Sequence, residues 1–290
     1  MHLFIHFSTN PLNSLKGMMI VTLGSFITTS FLFIFKNFVF LIIESFILVY
    51  KCLIKMKTLV MIPTYNEREN IQKLIKEILK YNVDILVVDD NSPDGTGERV
   101  KNIAKKNKKV HLLLRTKNRG RGLAGIAGFK YAINNKYDYI IEMDADFSHD
   151  PRYILNFLKK MGEADVVLGS RAVKGGKQIG RSAIRRMITK LANFYIRAIF
   201  GLRVKDCNSG YRCFHRKVLE AINLDKFISK GPSIVQEVLY RVHLKGFKIE
   251  EIPIVFVERK KGSSKLGPKQ LWKGYTMVLK LRLMKLFGMV

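Results

Sequence analysis

From Lys57 onward the chain alternates short apolar runs with longer amphipathic ones, and few folds satisfy that alternation. The run 58–62 is apolar throughout and stops at Pro63, as a strand buried on both faces does. Asn66 and Glu69 then stand three apart, the spacing of a capping box. It opens a predicted helix in which Ile71, Leu74, Ile75, Ile78 and Leu79 share one face. The same grammar continues through a strand at 85–88, a helix at 98–104, a strand at 110–114, a helix at 123–134 and a strand at 139–143. Asp150 and Pro151 then read as the cap and first turn of another helix, and a strand at 166–169 follows. Five strands separated by helices predict an α/β domain, with a mostly parallel sheet covered by helices on both faces.

After about residue 172 the pattern changes. Residues 184–200 read as a basic amphipathic helix that sets Arg185, Arg186, Lys190 and Arg197 among Ile, Leu, Phe and Tyr. A second such helix is predicted near 268–287, with Trp272, Tyr275, Leu279 and Leu286 between lysines and Arg282. Helices of this composition suit a membrane interface, and equally a solvated basic face on a core helix.

The first 55 residues have a different character, almost free of acids and dense in Phe, Ile and Leu. Residues 17–35 form an uncharged run of 19, about the length that crosses a ~30 Å hydrocarbon layer. A second apolar stretch, 38–50, is shorter and carries Glu44. One transmembrane helix or a tight helical hairpin is one reading; no small-residue cleavage site follows the run, which argues against a signal peptide. The other is that translation starts at Met56, directly before the first core strand. Lys51, Lys55 and Lys57 flank the apolar region, so the positive-inside rule places the large domain on the cytoplasmic side. The expected division is therefore 1–55 as a membrane segment or mis-assigned extension, 56–267 as the catalytic domain, and 268–290 as a basic C-terminal helix.

Charge narrows the partners. Lys and Arg number 51 against 23 Asp and Glu, a formal net charge of +28, which points to an anionic surface, substrate or nucleic acid. Cys52, Cys207 and Cys213 form no CxxC pair and no Cys/His cluster, which disfavours a zinc site. Free thiols are expected in preference to a Cys207–Cys213 disulfide.

Ligands of open parallel sheets bind beyond the carboxyl ends of the strands, and those ends are polar here. Pro63-Thr64-Tyr65-Asn66-Glu67 follows the first strand and Asp89-Asp90-Asn91-Ser92-Pro93-Asp94-Gly95-Thr96 the second. Asp144-Ala145-Asp146 follows the fourth and Gly169-Ser170-Arg171 the fifth. Any one of these is ordinary loop chemistry; four in succession at one edge point to a site. In an extended segment Asp144 and Asp146 face the same way and can address one ion. Carboxylate oxygens suit Mg²⁺ or Mn²⁺, which would act as a Lewis acid on a departing diphosphate.

Gly120-Arg121-Gly122-Leu123-Ala124-Gly125 also fits G-x-G-x-x-G. It follows the third strand rather than the first, and Arg119 and Arg121 are unusual in a tight pyrophosphate turn. Gly122 and Gly125 are therefore read as allowing close helix packing or backbone approach to substrate.

Taken together, PTYNE, DDNSPDGT, DADFSHDP, GSR, Asp206-Cys207-Asn208-Ser209-Gly210-Tyr211-Arg212 and the segment from Glu258 to Gly267 resemble the polyprenol-phosphate (dolichol-phosphate) mannose synthases. These are family 2 glycosyltransferases with the GT-A fold, and the resemblance spans roughly 57–267. It implies transfer of mannose from GDP-mannose to a polyprenyl phosphate at a membrane. It implies that Pro63, Tyr65, Glu67, Val88 and Asp90 hold the guanine and ribose, and that Asp144, Ala145 and Asp146 carry diphosphate and metal. Arg171, Arg259 and Lys265 would meet phosphate oxygens. Some relatives supply a Gln ligand two residues after the Asp-x-Asp, where this chain has Ser148. Some also carry transmembrane helices behind the catalytic domain, whereas the apolar segment here lies in front, and a membrane-anchoring subunit is compatible with either arrangement.

A phosphate monoester is largely dianionic near neutral pH and needs no strong base, so the site must mainly supply cations. Arg181, Arg185 and Arg186 are the candidates for the acceptor phosphate, with Arg171 beside them, and direct displacement would invert the anomeric carbon. A sibling using UDP-glucose or another nucleotide sugar is the nearest alternative. A basic membrane- or nucleic-acid-binding protein with an inactive transferase fold is the alternative from another class. No nucleic-acid module is recognisable, and an acid-lined crevice would repel a phosphate backbone, so nucleic acid is not expected as a partner.

Overall fold

The computed structural model describes residues 36–40, 56–258 and 268–288. The chain divides into two units, Met1–Lys55 and Met56–Val290. In the first, residues 36–40 are helical. The 17–35 run and most of 38–50 lie outside the described residues, as do Arg259, Lys265 and Cys52. Among the described residues no helix is long and apolar enough to cross a membrane.

The second unit is built on a seven-stranded sheet in the order β3-β2-β1-β4-β7-β5-β8. Its strands are β1 (Thr58–Thr64), β2 (Asp84–Asp89), β3 (Val110–Leu114), β4 (Tyr139–Glu142), β5 (Val166–Ser170), β7 (Arg212–His215) and β8 (Ile249–Pro253). The five strands expected from the sequence are present, and β1, β2, β3 and β4 pair in parallel. The antiparallel β7 separates β4 from β5. Strands β6 (Lys177–Ile179) and β9 (Val255–Val257) make a small parallel pair of their own.

Helices α1 (Arg68–Leu79), α2 (Thr96–Ala104), α3 (Arg121–Asn134) and α4 (Ile154–Lys160) connect the early strands. Beyond β5 come α5 (Ala183–Phe200), α6 (Arg216–Ala221), α7 (Ile234–Leu244) and α8 (Pro268–Leu286). Every residue of β1 is buried, which explains its unbroken apolar run. Asp150 caps the turn before α4 as expected, accepting the Arg152 amide at 2.9 Å.

The expected capping box at α1 does not form. Asn66 adopts a positive φ of 61° and Glu67 becomes the N-cap, without a side-chain cap bond. The helix start is instead held by the next loop: Asp94 accepts the Arg68 amide at 3.0 Å and Thr96 Oγ1 accepts the Glu67 amide at 3.0 Å. Partners 29 and 26 residues away, rather than local ones, satisfy these donors.

Helix α3 lies tight on the sheet. A Cβ at Gly128 would come within 2.5 Å of Met61 and 3.2 Å of Val88. Val88 is thus a core residue, in register with Pro63, and does not reach the cavity described below. Cys207 and Cys213 are both buried free thiols.

Candidate active site

The carboxyl ends of β1, β2, β4 and β5 open into one cavity of about 1340 Å³. Its lining includes Pro63, Tyr65, Glu67 and Asp90, then Asp144, Ala145 and Asp146, and the cations Arg171, Arg181 and Arg185. Helices α5 and α8 add an apolar part of the lining through Ile188, Ala192, Ile196 and Val278. Helix α8 rests on α5, where the Tyr195 hydroxyl donates to the Tyr275 carbonyl at 3.0 Å. Of the sequence-predicted residues, Val88 and Arg186 stand outside the cavity. Arg186 is exposed and donates to the Arg181 carbonyl at 2.7 Å.

The loop after β2 is braced by its own acids. Asp89 is fully buried and accepts from Thr64 Oγ1 at 2.9 Å and Ser92 Oγ at 2.6 Å. Asp90 accepts Arg115 Nη1 at 2.5 Å and the Gly120 amide at 2.6 Å, so its carboxylate ties the end of β2 to the start of α3. Gly120 itself has φ 135°, a conformation side chains rarely adopt. Gly122 has no space for a Cβ, which would fall 2.8–2.9 Å from the backbone of residues 229–231. Close backbone packing is therefore its role, as anticipated, whereas Gly125 faces only ordinary contacts, 3.6 Å at the nearest.

Asp144 and Asp146 sit just beyond β4 in a bend rather than an extended strand, with Phe147 at a φ of 60°. Asp144 keeps 40% of its side chain exposed at the rim. Asp146 Oδ1 accepts both the amide (3.1 Å) and the hydroxyl (2.6 Å) of Ser148. Ser148 is buried, so it supports Asp146 from behind. His149, not anticipated from the sequence, accepts the Asp144 amide on Nδ1 at 3.0 Å and stacks on Tyr211 at 4.9 Å. Burial is the largest influence on its ring and pushes the pKa down; Arg171 and Arg121 add to this, while Asp144 and Asp146 only partly oppose it.

Asp144 and Asp146 offer a donor set of two carboxylates, an oxygen chemistry that fits Mg²⁺ or Mn²⁺. Among the described residues no group of three or more His, Cys, Asp or Glu is arranged to hold an ion. Asp144 and Asp146 are the residues that would hold such an ion.

The cationic side is organised by partners far away in sequence. Arg171 meets Asp206 through Nε–Oδ2 and Nη2–Oδ1, both at 2.7 Å, and its amide donates to Oδ2 at 3.0 Å. Ser209 Oγ donates to the Gly169 carbonyl at 2.6 Å, fixing the 206–212 loop to the end of β5. Burial raises the Asp206 pKa, but the Arg171 contacts outweigh it and hold the carboxyl below the ordinary range. Arg185 pairs with Glu258. Arg181 differs from both, because its Nε is buried without a hydrogen-bond partner. Burial, and the charges of Arg171 and Arg185, press its pKa down. A cation in that condition gains from an incoming anion.

The comparisons agree with this geometry. The glycosyl transferase family 2 model matches residues 59–222, which run from within β1 past β7 and include both Asp144 and Asp146. The chain belongs to glycosyl transferase family 2. An undecaprenyl-phosphate mannosyltransferase of Micrococcus luteus is 41% identical over 214 residues, covering 73% of this chain and 88% of that one. A polyprenol monophosphomannose synthase of Mycolicibacterium smegmatis is 40% identical over 215 residues, with 73% and 81% covered. Glucosyl-3-phosphoglycerate synthase of Mycobacterium tuberculosis, solved with Mn²⁺, UDP-glucose and phosphoglyceric acid, superposes with a TM-score of 0.58 at 18% identity, covering 81% of each chain. A mannosyltransferase of Pyrobaculum calidifontis solved with GDP-mannose and Mn²⁺ gives 0.52 at 18% identity, covering 81% and 66%. These two likenesses establish the GT-A fold of this family 2 glycosyltransferase, an α/β sheet flanked by helices.

Proposed function

We propose that this glycosyltransferase moves mannose from GDP-mannose to the phosphate of a polyprenol, at a membrane surface, with inversion at the anomeric carbon. The observation that carries the reading is a single cavity whose lining combines Asp144 and Asp146, the cations Arg171, Arg181 and Arg185, and apolar residues of α5 and α8. A nucleoside diphosphate sugar, a phosphate and a prenyl chain require those three surfaces. Relatives near 40% identity that act on undecaprenyl phosphate or polyprenol support the acceptor.

In this mechanism Pro63, Tyr65, Glu67 and Asp90 line the place of the nucleoside, and Asp144 and Asp146 face the diphosphate. A divalent cation held there would neutralise charge on the departing GDP. Arg181, with its unsatisfied Nε, takes the acceptor phosphate together with Arg185, and Arg171 adds a third cation to the same lining. No general base is assigned, since the phosphate oxygen is already an anion. Arg259 and Lys265 are further candidates for phosphate oxygens.

The membrane part of the proposal rests on α5 and α8. Met187, Leu191 and Phe194 on one and Trp272, Leu283 and Leu286 on the other are exposed among basic residues, a composition suited to an anionic bilayer surface. The lysines at 51, 55 and 57 support a cytoplasmic orientation of the catalytic domain.

The test is donor competition. With a short polyprenyl phosphate and Mn²⁺, GDP-mannose is expected to yield a β-linked product by NMR, and UDP-glucose none. Transfer from UDP-glucose alone would move the protein to a different donor, and an α-linked product would refute inversion.

A further inference from the structure

Arg121, set aside in the sequence as an odd residue in a glycine-rich loop, lies against the acid pair. It is the first residue of α3, and the packing of Gly122 on residues 229–231 fixes where that helix begins. Its Nη1 meets Glu142 Oε1 at 2.8 Å, while its Nη2 meets Asp144 Oδ1 at only 3.4 Å. Glu142 is fully buried and is also held by Arg212, through Nη2 at 2.5 Å and Nε at 3.1 Å. Arg212 in turn donates to the Val235 carbonyl at 3.0 Å.

The short contact and the long one settle what anchors the guanidinium. Arg121 is tethered by a buried carboxylate behind the site, so it stays beside Asp144 whatever else Asp144 binds. Glu142 is shared with Arg212, and Asp206 is taken by Arg171. Arg121 is therefore a fixed cation beside a rim carboxylate, and its side chain is only 25% exposed, which limits screening.

We propose that Arg121 is a built-in counter-ion of Asp144, which keeps the acid pair from retaining a divalent cation until a nucleoside diphosphate adds negative charge. This rests on the metal-dependent reading above and deepens it: binding becomes ordered, with the ion held as part of the nucleotide complex. Once the diphosphate is in place, the fixed guanidinium faces anionic oxygens as well as Asp144, and its presence favours the complex.

The experiment is Mn²⁺ binding to the full chain, followed by electron paramagnetic resonance, with and without GDP. Wild type is expected to bind Mn²⁺ weakly alone and on the order of tenfold or more tightly with GDP, the effect of a single nearby charge in a partly screened site. Arg121→Gln, which leaves Glu142 its Arg212 partner, is expected to bind Mn²⁺ more tightly than wild type without GDP and to narrow the gap. Arg121→Lys keeps the charge and is expected to follow wild type; thermal melts of both variants establish that they fold. Loss of a merely structural residue would not raise metal affinity. Unchanged or weaker Mn²⁺ binding by a folded Arg121→Gln, or equal behaviour of the Gln and Lys variants, overturns the counter-ion role and leaves the metal reading standing. Absence of Mn²⁺ binding by wild type even with GDP overturns both.

Discussion

Arg171 and Asp206 meet in a two-point ion pair, 2.7 Å on each side, with both side chains almost wholly buried beside the cavity. The pair joins the end of β5 to the 206–212 loop, so a residue proposed to meet phosphate is positioned by a carboxylate 35 residues further on. Removing one partner leaves a buried charge uncompensated. Asp206→Asn is expected to cost about 3–5 kcal/mol of stability, read from urea denaturation. The pH dependence has a definite sign. Asp206 is held below the ordinary carboxylate range when folded, so its contribution is complete above ~pH 4 and is lost as pH falls below that. Glu142, pushed up by burial and pulled lower still by Arg212 and Arg121, acts in the same direction. The acid limb of a stability profile should be shallower in Asp206→Asn than in wild type.

The two glycines of α3 separate packing from propensity. A methyl at position 122 collides with backbone that cannot turn aside, whereas at 125 it meets ordinary contacts. Gly122→Ala is expected to destabilise by about 1–3 kcal/mol. Gly125→Ala should lie within about 1 kcal/mol of wild type, with the helix preference of Ala in its favour. Thermal melts of the two variants check this, and equal losses would contradict the packing account.

His149 holds Asp144 by accepting a hydrogen bond from its amide. His149→Phe keeps a ring against Tyr211 but loses the acceptor, and is expected to lower kcat by about 10–100-fold with little change in KM for the donor. His149→Asn restores an acceptor and should recover part of the loss. A role limited to packing predicts the reverse order, with Phe the better replacement.

Legibility in the sequence followed burial and locality. Strands β1, β2 and β5 were visible because both faces are buried, so an apolar run sufficed. Strand β7 was not, since it begins with Arg212, whose burial depends on Glu142, 70 residues earlier. Strand β8 carries Glu250 and Glu251 and gave no apolar signal. The same divide runs through the site. Asp144 and Asp146 were readable as neighbours in sequence, while the parts of Asp206, Glu142 and His149 depend on contacts formed only by the fold. Val88, assigned to the nucleoside by resemblance, is core because its side chain packs where α3 crosses at Gly128.

Trp272 is the only tryptophan in the chain and is 71% exposed on α8, which makes it a reporter of the proposed membrane face. On adding vesicles rich in anionic lipid, its emission should shift to the blue and be quenched by lipids brominated near the headgroup. Neutral vesicles should do this less, and Leu191→Glu with Phe194→Glu should weaken the effect. Emission that stays water-like with every vesicle would place this face away from the bilayer.

The central claim is a transfer reaction centred on the acid pair, and its most direct test is radiolabel transfer from GDP-mannose to a polyprenyl phosphate with Mn²⁺, comparing wild type with Asp146→Ala. The account predicts organic-soluble product from wild type and a loss of about 100-fold or more in the folded variant. Equal transfer by the two proteins, or none by folded wild type, would contradict it.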